Sequence, residues 1–353
     1  MVTVFKYDHP FQLESGAILP GFHLAYTTHG KLNAAKDNVI WIFHALTANS
    51  NPAEWWPGLV GDGKFFDPSK HFIICVNKPG SPYGSISPLS INPETNQPYY
   101  HDFPVFTVRD IVRTYQHLKK SLGIKKVLVG LGGSTGGMQL LEWAIEEPEL
   151  FEHIVPIATN AALSPWGVAF NASQRMAIEA DSTWLEKRPD AGQKGLAAAR
   201  SIALLSYRHY NGYDITQPRD KAFVSLGNEV NYASDNYQRY QGLKLVNRFN
   251  AVCYYRLTQT MDSHDVGRSR VNIEEALKRI KAATLVIGIR SDVLYPIEEQ
   301  YYLRDTIAGA QLLEISSDFG HDGFLLEYEK IETALRQFIQ SNNTSSHLKI
   351  VNQ

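Results

Sequence analysis

The strongest chemical signal in this chain is Gly132-Gly133-Ser134-Thr135-Gly136, which fits a G-x-S-x-G pattern. A serine in that pattern becomes a nucleophile when a strand delivers it and a helix follows it. The residues before it, Lys126 to Leu131, are apolar and β-branched, as in a buried strand. Those after it, Gly137 to Ala144, are mostly good helix formers. The turn between them strains the serine backbone, and Gly132, Gly133, Gly136 and Gly137 leave it the space. Serine is also a favoured helix N-cap, a plainer use of the same residue. The strand before and helix after favour the nucleophile.

A serine hydroxyl needs a base, and the base needs an orienting acid. When the nucleophile sits on such an elbow, the chain order is serine, acid, histidine. Asp292 lies in Arg290–Pro296, just after the apolar run Thr284–Ile289. His321 lies between Gly320 and Asp322, after the run Gln311–Ile315. Both are expected at carboxyl ends of parallel strands, where open α/β sheets build their sites. An isolated Asp292 could instead cap a helix starting near Pro296. Of the twelve histidines, His101, His153, His209 and His264 follow no late strand. Asp262-Ser263-His264-Asp265 contains a single imidazole, so no metal site is expected there. Two aimed N–H groups must hold the oxyanion. Thr135, next to the nucleophile, should supply one. Leu46, in His44-Ala45-Leu46-Thr47, should supply the other. His44 directly follows a strand and is assigned a structural role.

The elements that must position these groups can be read from patterning. Asn38–Phe43 and His71–Val76 are continuous apolar runs, as in strands buried on both faces. Val108, Ile111, Val112, Tyr115, Leu118 and Leu122 recur at helical spacing, and Gly123 should end that helix. Ile154–Ala158 is a further strand. Strands alternating with helices predict an α/β chain built on a mostly parallel, doubly wound sheet. From Ala161 to about Val271 strand runs vanish, and helical stretches such as Gly195–Tyr207 and Tyr237–Met261 dominate. The expected organisation is a core of residues 1–160 and 272–345, a helical cap of residues 161–271, and a tail of residues 346–353. The polar residues from Ser341 onward are expected to fray.

The chain has 353 residues, of which 44% are hydrophobic and 20% charged, with a net charge of −2. Near-neutral charge gives no footing for nucleic acid or a membrane surface. No apolar run approaches the roughly 20 residues that span a bilayer, and no signal peptide is seen. Cys75 and Cys253 sit in apolar company and read as buried thiols of a reducing compartment. A cytoplasmic location is expected.

A wider set of motifs resembles the homoserine O-acetyltransferase family of acyltransferases. The set includes Phe11–Gly16, Ala25-Tyr26, His44–Thr47, Ile91-Asn92-Pro93, Asp102-Phe103-Pro104 and Thr107–Asp110. It continues with Gly132–Ser134, Gly136–Gln139, Gly195–Arg200, Arg239–Gly242, Ser291-Asp292 and Gly320–Asp322. The resemblance implies an α/β-hydrolase fold with a helical cap, and a triad of Ser134, Asp292 and His321. It further implies substrate contacts at Arg200 and Asp322, acetyl-CoA as co-substrate without a bound cofactor, and a homodimer. The family usually has Met where this chain has Thr135. Its oxyanion loop and its glycine-rich loop also differ from Ala48-Asn49-Ser50 and from Pro79–Ser85 here. An esterase or thioesterase that uses water, another acyl donor such as succinyl-CoA, and another acceptor such as serine are the alternative readings.

Overall fold

The computed structural model describes the backbone of residues 2–219, 224–226 and 229–351, and the side chains of residues 2–219 and 232–342. Eight strands form one sheet. They are β1 (Val2–Tyr7), β2 (Phe22–His29), β3 (Val39–Phe43), β4 (Phe72–Val76), β5 (Val127–Gly133), β6 (Phe151–Ile157), β7 (Ala283–Ile289) and β8 (Gln311–Ile315). Their order across the sheet is β1-β2-β4-β3-β5-β6-β7-β8. β2 runs antiparallel to both its neighbours, and β3 to β8 are all parallel.

Burial on both faces explains the unbroken apolar runs. Along β3, Val39, Trp41 and Phe43 enter one core, with Tyr115, Leu118 and Trp143. Ile40 and Ile42 point the other way, into a core closed by Ile331, Leu335 and Phe338. The first core belongs to helices α1 (Val108–Leu122) and α2 (Thr135–Glu146). α1 begins with a reciprocal capping box between Thr107 and Asp110, which satisfies two amide donors that would otherwise be orphaned. Arg109, 5% exposed, ties α1 to α2 through Glu142 at 2.6 Å and to the N-terminal segment through Glu14 at 2.8 Å.

Between β6 and β7 lie α3 (Pro165–Glu179), α4 (Gln193–Tyr207), α5 (Tyr210–Thr216), α6 (Ala233–Val246) and α7 (Ala251–Asp262). The apolar faces of α3, α4, α6 and α7 form a separate cluster, which Leu46 joins from the loop after β3. Two sequence expectations for this region are corrected in detail. The stretch Tyr237–Met261 is two helices, because Asn250 turns the chain and caps α7 through the Cys253 N–H at 3.0 Å. A short antiparallel ribbon, Val224–Leu226 with Glu229–Asn231, interrupts the helices. Residues 220–223 and 227–228 of the expected cap lie outside the described residues.

After β7 come α8 (Ile297–Thr306) and α9 (Tyr328–Val351). The end expected to fray from Ser341 is helical as far as Val351, and residues 352–353 of the expected tail lie outside the described residues. No helix among the described residues is long and apolar enough to cross a membrane.

Candidate active site

Ser134 sits between β5 and α2 with φ 55° and ψ −126°, a conformation that costs a non-glycine residue about 1–3 kcal/mol. Surrounding bonds impose it. The Ser134 N–H donates to the Ile157 carbonyl at 2.9 Å, and the Ser134 carbonyl accepts from the Gly137 N–H and the Thr159 hydroxyl, each at 2.9 Å. The turn is tight enough that a Cβ on Gly136 would lie 2.1 Å from the Phe43 carbonyl oxygen. Only glycine lets α2 pack so close to the end of β3.

Asp292 and His321 lie just past β7 and β8, and the fold brings them together. His321 Nδ1 is 2.6 Å from Asp292 Oδ2, with both side chains buried. A carboxylate accepts, so Nδ1 carries the proton and, in the neutral ring, Nε2 keeps its lone pair. The other carboxylate oxygen, Oδ1, accepts from the Leu294 and Tyr295 N–H groups at 2.8 and 2.9 Å. Asp292 therefore caps its own loop rather than α8, which has no side-chain cap. Burial works against a charged His321 imidazole, but the Asp292 charge and hydrogen bond outweigh it and raise the pKa above 6.5. Gly320, at φ 61°, lets the loop turn left-handed, and a Cβ there would meet the Arg208 carbonyl carbon at 2.8 Å. The histidine loop is thereby wedged against the end of α4.

Ser134 and His321 line one cavity of about 580 Å³, together with Leu46, Arg200 and Asp322. Thr135 does not line it with its side chain. The Thr135 hydroxyl instead accepts from Lys78 Nζ at 2.8 Å. His44 is buried and lies outside the cavity. Its Nδ1 is 2.8 Å from the Ala45 carbonyl, and its Nε2 accepts the Lys78 N–H at 3.1 Å. Burial, with the Lys78 charge, holds its pKa well below the ordinary histidine value. His264 likewise faces the Asn160 carbonyl, at 2.8 Å, while Asp262 turns to Arg175 at 2.7 Å.

Some site neighbours escaped the sequence reading. Arg208 pairs with Asp322 at 2.7 Å, so the carboxylate next to the histidine is held from α4's end. Tyr207 lies 5.7 Å from the His321 ring, and the Arg200 guanidinium lies over its face at 5.4 Å. Arg200 and Tyr207 are two turns apart on α4, a spacing that puts them on one face and could have flagged the pair. Tyr295, fully buried, packs 5.2 Å from His321. It adjoins Asp292 in the chain, but no local pattern marks its inward direction. Among the described residues, no carboxylate is paired with Arg200.

The α/β hydrolase fold family model matches residues 38–328. A homoserine O-acetyltransferase of Cyclobacterium marinum is 48% identical over 96% of this chain and 95% of its own length. The crystal structure of homoserine O-acetyltransferase from Bacillus anthracis is similar at a TM-score of 0.87 and 26% identity, covering 96% of this chain and 97% of that one. Esterase E22 is equally similar in shape, with a TM-score of 0.87 and 25% identity, covering 96% of this chain and 99% of its own. With near-complete coverage in both directions by a relative 48% identical, the chain belongs to the homoserine O-acetyltransferase family of the α/β-hydrolase fold.

Proposed function

We propose that this protein is a homoserine O-acetyltransferase, which moves an acetyl group from acetyl-CoA to the side-chain hydroxyl of L-homoserine through an acetyl-Ser134 intermediate. The observation that carries the reading is the buried 2.6 Å His321–Asp292 bond on the cavity that Ser134 also lines. His321 Nε2 takes the Ser134 proton as the hydroxyl attacks the thioester carbonyl. The Thr135 and Leu46 N–H groups hold the oxyanion. Collapse expels the CoA thiolate, which takes the proton from His321. Homoserine then binds, with its carboxylate gripped by Arg200 and its α-ammonium facing Asp322, which Arg208 holds in place. His321 deprotonates the homoserine hydroxyl, which attacks the acetyl carbonyl; the Ser134–acyl bond then breaks, the Ser134 oxygen takes the proton back from His321, and the O-acetyl ester leaves.

Acetyl-CoA is a co-substrate, and the scheme needs no resident cofactor. Lys244 and Arg248, on the same cavity, supply positive charge suited to a phosphate-bearing donor. Residues 161–271 act as a cap that limits water, which would otherwise hydrolyse the intermediate. The exposed Leu205, Tyr240 and Leu243 on α4 and α6 suit pairing of two copies through these helices, as a cytoplasmic homodimer serving methionine biosynthesis.

The test is to mix the protein with acetyl-CoA, with and without homoserine, and follow free CoA and O-acetylhomoserine. Catalytic CoA release that needs homoserine and matches ester formation is expected. CoA release independent of homoserine, with no ester formed, overturns the transferase and leaves a hydrolase, the activity named for the equally similar esterase.

A further inference from the structure

Three neighbouring parallel strands, β4, β3 and β5, end side by side. Just past their ends stand Lys78, His44 and Thr135. Lys78 Nζ donates to the His44 carbonyl at 2.9 Å and to the Thr135 hydroxyl at 2.8 Å. The Lys78 backbone N–H donates to His44 Nε2 at 3.1 Å, so both ends of this lysine grip the loop that leads to Leu46. The side chain thus joins the two segments whose N–H groups would form the oxyanion hole.

Lys78 is 2% exposed, and lysine is almost never buried without a partner. The polar groups facing it are His44 from the loop after β3, the Cys75 thiol on β4, Thr135 and Gln139 on α2, and Thr260 on α7. Among the described residues, no carboxylate is paired with it. Burial pushes its pKa down to about 7, while Cys75 works in the opposite direction. A buried cation in that state is stabilised by any negative charge that forms beside it. In acyl transfer, the negative charge that forms beside Thr135 is the tetrahedral oxyanion.

We propose that Lys78 is a positioning residue of the oxyanion hole: its ammonium clamps the His44–Leu46 loop to the first residue of α2, and its unneutralised charge favours the oxyanion held between them. The inference rests on the acyl-serine reading above.

The experiment follows pre-steady-state CoA release from acetyl-CoA by the full chain, across pH, for wild type, Lys78→Met, Thr135→Val and the double variant. Lys78→Met should slow acylation about 30-fold or more, with acetyl-CoA affinity within about threefold. Thr135→Val, which keeps the charge and removes one anchor, should slow it about tenfold. The double variant should be no more than about threefold slower than Lys78→Met, because the two changes break one contact. In wild type, the rate should fall at alkaline pH as the ammonium deprotonates, and Lys78→Met should lose that fall. A purely structural lysine would not produce that change in profile. A Lys78→Met rate within threefold of wild type, or an unchanged pH profile, overturns the clamp. Should Lys78→Met not fold, a Thr135→Val variant at wild-type rate does the same. Failure of wild type to acetylate Ser134, read by mass spectrometry, overturns the acyl-serine reading instead.

Discussion

Asp292→Asn is the most demanding test of the geometry around His321. The Leu294 and Tyr295 N–H groups both donate to Asp292 Oδ1, at 2.8 and 2.9 Å. They require an acceptor, so the asparagine must place its oxygen there. Its NH2 group then faces His321 Nδ1, in the position where the carboxylate now accepts at 2.6 Å. Two donors cannot face each other, so Nδ1 must become the acceptor and the ring proton moves to Nε2. The imidazole keeps its place and loses the base role proposed for it. A wrong tautomer in a triad of this kind costs about 10⁴-fold, or roughly 5 kcal/mol of transition-state stabilisation. Both backbone hydrogen bonds survive, so thermal stability should change little. The assay is single-turnover release of CoA from acetyl-CoA, with Asp292→Ala beside it and a melting curve for each variant. A loss smaller than about tenfold for Asp292→Asn, in a protein that melts like wild type, would refute the argument.

Other consequences are open to direct measurement. His321 must be neutral to act as base, and its pKa is raised, so the acidic limb of the acylation profile should rise with pH through a midpoint above 6.5, ahead of the alkaline fall assigned to Lys78. Because the folded pKa is the higher one, the stability that His321 contributes is fully present below its unfolded value. It fades as pH rises through the folded value, so the melting-temperature gap between wild type and His321→Gln should narrow toward alkaline pH. A gap that widens instead would contradict this sign. Arg200→Ala should slow transfer to homoserine about 100-fold, the value of about 3 kcal/mol for a charge-assisted clamp, while acetylation of Ser134 stays within threefold. An equal fall in both half-reactions, measured separately, would remove Arg200 from acceptor binding. Gly136→Ala puts a Cβ 2.1 Å from the Phe43 carbonyl oxygen and 2.8 Å from its carbon, backbone atoms with little freedom to retreat. Urea unfolding should find this variant destabilised by about 3 kcal/mol or more, and a change below about 0.5 kcal/mol would mean the elbow can open.

Much of the site was legible in the amino-acid order alone. Ser134, Asp292 and His321 each stand just past an apolar run, and runs that are unbroken must be buried on both faces. A parallel sheet then gathers their ends along one edge whatever the strand order. Local chemistry also marked a helix end, as with Gly123 at the close of α1. The break at Asn250 was missed because the apolar spacing runs on across it, and only the cap geometry reveals the turn.

Contacts across the chain were another matter. Lys78 reads as an ordinary loop lysine until strand order sets β4 beside β3 and β3 beside β5. Arg208 reads as a surface residue until the histidine loop is wedged against the end of α4 and Asp322 meets it. Periodicity and turn chemistry act within a few residues and so can be read along the chain. A charge finds its partner only through the order of strands and the layer of helices above them, and that arrangement exists only once the whole core is buried.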